Sequence, residues 1–202
     1  MTDAGEGTPG TASTVDVRAA YAQLDGVEPT FLRDVAVALV VSGHDLELDV
    51  DLATVDVDAA DPWVGRVLGV VRPIARSVSF YAVHPTPVPP PLLPQAVELA
   101  MRATDAEFDV AFEVDLTSGT FAARSSVSLG DVEISVDVLG GLLGTALDAA
   151  ESRLLRYRAA IEAVAAGETS PADAAASARG ADLDALAAEL STLDARLSPP
   201  SS

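Results

Sequence analysis

Between Asp45 and Val57 the chain alternates carboxylate and hydrocarbon. Leu46, Leu48, Val50 and Leu52 fall on one side; Asp45, Glu47, Asp49 and Asp51 fall on the other. A period of two belongs to a half-buried strand, because successive side chains of a strand point to opposite faces. The pattern returns at Phe108, Val110, Phe112, Val114 and Leu116, interleaved with Asp109, Ala111, Glu113 and Asp115. Thr117-Ser118-Gly119 reads as a tight turn, and Phe121, Ala123, Val127 and Leu129 line a return strand. After the turn signal Gly130-Asp131, Val132, Ile134 and Val136 predict a third strand. Trp63 to Val71 and Ser77 to Val83 read as two more strands, joined near Pro73. Much of the chain is thereby committed to two groups of three antiparallel strands.

Between and around these groups the period changes. Val15 to Leu24 predicts a short helix with Val17, Tyr21 and Leu24 on one face. Pro29 to Val41 fits a helix started at Thr30, although its run VAVALVV has strand character as well. His84 to Pro94 carries six prolines and predicts a stiff, extended connector. It leads into a helix from about Leu93 to Thr104, with Leu93, Ala96, Val97, Ala100 and Met101 as the buried stripe. From about Asp137 the hydrophobic positions Leu143, Leu147, Ala150, Leu154, Tyr157, Ile161 and Val164 step by four and three, as one long amphipathic helix requires. Gly167 stops it, and Ser170-Pro171 supplies an N-cap and first turn for a shorter helix ending at Gly180. Leu183, Leu186, Leu190, Leu193 and Leu197 then repeat at three and four on a last helix. The expected fold class is α+β: a two-layer sandwich of antiparallel sheet with packed helices, plus a C-terminal helical appendage.

Composition narrows the function. The 202 residues hold 31 acidic and 12 basic side chains, a formal net charge of −19, and every basic residue is Arg. Such a surface repels phosphates, so nucleic acid is not an expected partner. The absence of Cys excludes a disulfide scaffold, a thiolate metal site and a Cys nucleophile. The longest apolar run, Val35 to Val41, is far short of a membrane span. The first residues show neither the basic region nor the apolar stretch of a secretory signal, so a cytoplasmic location is expected. Residues 1–13, rich in Gly, Thr, Ser and Pro, are expected to be a disordered leader. Residues 14–178 form the expected domain, and residues 179–202 the C-terminal amphipathic helix and tail.

Motifs of catalysis are not found. The acidic stretch lacks the Gly and Glu of a calcium loop: counted from Asp49, position six is Thr54 and position twelve Ala60. Its carboxylates read as the solvated side of an edge strand. His44 and His84, the only histidines, sit in turn or loop contexts with no metal-ligand spacing. Gly140-Gly141-Leu142-Leu143-Gly144 has no phosphate-loop lysine and reads as close packing at a strand-to-helix junction. Arg124 is placed to pair across its hairpin with Asp109, Glu113 or Asp115. No catalytic residue, metal or cofactor is expected.

The second half resembles the YbjN family, whose fold is like that of the type III secretion chaperones. The resemblance lies in Phe112-Glu113-Val114-Asp115, Gly119 and Arg124-Ser125-Ser126-Val127. Downstream it includes Tyr157, Ile161, Val164, Gly167, Ser170-Pro171 and Ala174, and upstream Phe80-Tyr81 followed by Pro85. It covers roughly residues 63–178, and departs at Ala122 and Ala123, where the family often has a basic and an aromatic residue. It implies a two-layer sandwich that often dimerises and binds peptide segments of other proteins without catalysis. The expected contacts to a peptide client, biased by charge toward basic ones, are Trp63, Phe80, Tyr81, Phe112, Phe121 and Arg124, with core packing as the alternative role of the aromatics. Leu183, Leu186, Leu190, Leu193 and Leu197 are expected either to pack on the long helix or to form a homodimer contact. A homodimeric scaffold without a client is the second expectation, and a small-molecule or metal-binding enzyme the third.

Overall fold

A computed structural model describes residues 17–180. The leader, residues 1–13, and the five leucines of the C-terminal repeat lie outside the described residues.

Two helices open the chain, α1 (Val17–Gln23) and α2 (Thr30–Val41). Four strands follow: β1 (Leu46–Asp49), β2 (Thr54–Asp58), β3 (Arg66–Arg72) and β4 (Ser77–Val83). A 3-10 turn (Pro90–Leu92) leads into α3 (Leu93–Ala106). Then come β5 (Ala111–Val114), β6 (Phe121–Ser128), the long α4 (Val136–Ala165) and α5, whose described part is 171–180. All strand pairs are antiparallel, in the order β1-β2-β3-β4-β6-β5. The protein is therefore α+β, with helices packed on a six-stranded antiparallel sheet.

The stretch from Asp45 to Val57 is a hairpin, not one strand. The chain turns at Val50–Ala53, where Ala53 adopts a positive φ of 53°. Leu46 and Leu48 keep their inward place, opposite Val57 and Val55, whereas Val50 and Leu52 sit in the turn and face solvent. The strand expected from Trp63 begins only at Arg66, because residues 59–65 form a loop. The strand expected at Val132 to Val136 is absent. Ser135 instead caps α4, its Oγ accepting the Val138 N–H at 3.4 Å. Phe108 and Leu116, expected within a strand, flank β5 and are exposed. In α3 the buried stripe is Ala96, Leu99, Ala100 and Ala103; Met101 points to solvent.

The expected helical face of α4 holds: Leu143, Leu147, Ala150, Leu154, Tyr157, Ile161 and Val164 are all buried. The helix lies across β4 and β6 and carries α2 and α3 beside it. Tyr157 meets Phe112 at 4.8 Å between ring centroids, and Phe112 meets Phe121 at 6.0 Å. At its end, Gly167 N–H bonds the Val164 carbonyl and Glu168 N–H bonds that of Ala163, a Schellman motif in which Gly167 takes a positive φ. Ser170 caps the next helix by accepting the Asp173 N–H. Of the glycines expected to pack at a strand-to-helix junction, all lie inside α4 and Gly140 alone serves close helix-on-helix packing: a Cβ there would run into Ser42 Oγ and lie 3.0 Å from the Ala38 carbonyl oxygen of α2, whereas one on Gly141 would meet nothing within 4 Å. That closeness explains why α2, ambiguous by sequence, is buried on several sides.

Candidate functional site

Strand parity divides the sheet into two faces. Val55, Val57, Val67, Val71, Val78, Phe80, Ala82, Phe112, Phe121 and Ala123 point into the helical layer and are buried. The opposite face carries no helix among the described residues. Across the paired registers one row of that face runs Glu47, Asp56, Leu68, Tyr81, Arg124, Ala111. A neighbouring row runs Asp49, Thr54, Val70, Ser79, Ser126. Val83 faces Ala122, which faces Glu113.

The centre of this bare face is apolar. Leu68, Val70, Tyr81, Val83 and Ala122 line a shallow trough of about 390 Å³, with Glu113, Val114, Asp115 and Thr120 at its β5 end. Leu68 is 38% exposed despite its central strand. The local sequence explains the anomaly. Strands wet on one face alternate cleanly, as β2 (TVDVD) does. Yet β3 (RVLGVVR) and β4 (SVSFYAV) carry near-continuous apolar runs, the pattern of strands covered on both faces. Here the helices among the described residues cover one.

Charge borders the trough on both sides. Leu68 also lines a second depression of about 490 Å³, in which Glu47, Asp49, Asp51 and Asp56 stand with Thr54 and the apolar Leu48 and Val50. Arg66 is the cation of that end, contacting Glu47 at 3.0 Å, Asp56 at 3.5 Å and Asp58 at 3.4 Å. Its hydrogen bond to Glu47, with the nearby carboxylates, raises the guanidinium above its ordinary pKa. At the β5 end Arg124 pairs with Glu113 at 2.5 Å, as the sequence led one to expect. The Arg124 Nη1 also donates to Ser126 Oγ. Asp115 accepts the N–H groups of Thr117 and Ser118, and these bonds hold its carboxyl below the usual aspartate range. Arg72 lies at the far end of β3, outside both depressions.

The expected contact residues separate cleanly. Tyr81 and Arg124 belong to the bare face. Phe80, Phe112 and Phe121 are core residues of the helical layer, so they are not surface contacts. Parity decides this: Tyr81 follows Phe80 and points the opposite way. Trp63 lies elsewhere, in loop 59–65, half-buried, with its ring T-shaped against His84 at 5.1 Å and the Arg158 guanidinium 4.4 Å from its centroid. His84 lies in a loop, as its context predicts, but is buried there: it is 5% exposed, and its Nδ1 meets the Thr86 backbone.

Sequence reasoning missed Glu151. Among Arg153, Arg156 and Arg158 it looks like one more surface charge on α4, yet it is buried. Its two carboxylate oxygens accept the backbone N–H groups of Ala60 and Asp61, ninety residues away, and so fasten the loop that holds Trp63. Leu68 and Val70 were missed too, because a continuous apolar run does not tell which face meets water.

Among the described residues no group of three or more His, Cys, Asp or Glu side chains could hold a metal ion. No helix among them is long and apolar enough to cross a membrane. Fold and site together define an α+β protein whose antiparallel sheet, among the described residues, is covered by helices on one face and left bare, apolar and acid-rimmed on the other. Comparison with protein-family models, with curated proteins and with solved structures finds no match to the chain.

Proposed function

We propose that the protein is a non-enzymatic, chaperone-like binding protein that accepts a segment of a partner protein on the bare face of its sheet. One observation carries the reading: β3 and β4 have the composition of strands covered on both faces, and the helices among the described residues cover one. Covering the trough removes Leu68, Val70, Tyr81 and Val83 from water, at roughly 25 cal/mol per Å² of apolar surface. The resemblance to the YbjN family, read from the order of weak motifs, supports peptide binding and absence of catalysis. The cysteine-free composition agrees with action in the cytoplasm.

The test compares the native chain with a Leu68→Ser/Tyr81→Ser double variant in affinity capture from the protein's own host. Both side chains lie on the bare face, so the variant is expected to stay folded, with its stability changed by under about 1 kcal/mol. Partners bound by the native chain and lost by the variant support the reading. Partners retained by the folded variant contradict it.

A further inference from the structure

Resting on that reading, we propose that the segment held by the bare face is basic and amphipathic, with an apolar centre flanked by Lys or Arg. The two depressions share Leu68, so the apolar trough and the acidic one lie side by side on this face. On the β1–β2 side five carboxylates (Glu47, Asp49, Asp51, Asp56 and Asp58) stand against the single guanidinium of Arg66. On the β5 side Glu113 and Asp115 stand against Arg124, which Glu113 already engages. Both borders of the apolar strip thus carry surplus negative charge. A neutral apolar partner would leave that surplus repelling itself as water is displaced, and an acidic partner would add to it. A partner with cations at both flanks neutralises it, which is electrostatic complementarity of the kind that selects partners. A second copy of this chain would bring the same acidic borders against these.

Dimensions limit the segment. Six strands at the usual spacing span about 24 Å, the length of a helix of about 16 residues. The contact is made by side chains on a sheet face, so the partner needs no free strand edge.

The probes are synthetic peptides with a leucine/serine centre and flanks of lysine, glutamine or glutamate, and a lysine/serine peptide lacking leucine. Each is titrated into the full-length protein labelled for amide chemical-shift mapping. The lysine-flanked peptide is expected to shift Leu68, Val70, Tyr81, Val83 and Ala122, and to bind at least about tenfold more tightly than the glutamine-flanked one. Raised salt and a Glu47→Gln/Asp49→Asn/Asp51→Asn variant should erase that advantage, and Arg66→Gln should enlarge it.

Equal binding of lysine- and glutamine-flanked peptides on this face overturns the basic partner and leaves the binding face standing. Equal binding of the leucine-free peptide overturns the apolar centre. If no peptide shifts the face, both this inference and the reading beneath it fail. Concentration-dependent shifts without peptide assign the face to a second copy. Shifts caused only by deleting residues 1–16 or 181–202 assign it to the chain's own termini. Either result overturns the proposal.

Discussion

Glu151 shows how much one buried side chain can govern. Its carboxylate is the acceptor for two backbone donors of loop 59–65, and that loop carries Trp63. Glu151→Leu leaves both N–H groups without their acceptor and is expected to cost about 2–4 kcal/mol; Glu151→Gln, which keeps one acceptor, should lose less. Urea unfolding followed by fluorescence checks both, because Trp63 is the only tryptophan. A Glu151→Leu midpoint equal to the native one would contradict the role. The residue was illegible in the sequence because its neighbours on α4 are charged and its partners lie in a distant loop. Asp115 reads in the sequence as a strand residue on the polar side, whereas the structure places it just after β5 as the acceptor of the turn's N–H groups, and its chemistry gives a pH prediction. Its carboxyl is held below the ordinary aspartate range by the Thr117 and Ser118 N–H groups, so the stabilisation is complete above that range and fades as pH falls through the depressed value. The Thr117 and Ser118 amide shifts should therefore titrate below the ordinary midpoint near pH 3.9, and Asp115→Asn should remove the titration. A midpoint at or above the ordinary value would contradict it.

At the scale of elements, the long helix and strands β4 and β6 were plain from periodicity and turn residues, and the structure returns them nearly unchanged. The β1–β2 hairpin was hidden. Alternation runs on through its turn, and Ala53 takes a positive φ where a Gly or Asn would have signalled one. Val132 to Val136 erred the other way: three alternating hydrophobics suggested a strand, while Ser135 was the N-cap of α4. The edge strand β5 shows how this sheet closes one side. The Phe112 N–H donates to Thr104 Oγ1 at 2.8 Å, and the Thr104 hydroxyl donates to the Phe112 carbonyl at 3.4 Å, so α3 occupies the groups another strand would pair with. Thr104→Val should destabilise the fold by about 1–3 kcal/mol and speed exchange of the Phe112 amide. Unchanged exchange there would show that the edge is protected by something other than Thr104.

For the whole molecule, the α+β class followed from two blocks of period two separated by blocks of period 3.6. Which face of the sheet the helices would choose did not follow, because β3 and β4 carry apolar residues on both sides at their centres. The same ambiguity is the physical mark of the proposed function: an antiparallel sheet whose central strands are prepared for two covers and have one among the described residues. The acidic borders oppose self-association of such a surface by like-charge repulsion. The most direct measurement is site-specific photocrosslinking in the native host. A photoreactive phenylalanine analogue replaces Tyr81 on the bare face or, separately, Ser152 on the exposed side of α4. The account predicts defined adducts with another protein from position 81 and none of those adducts from position 152. Adducts formed only from position 152, with position 81 silent, would contradict it.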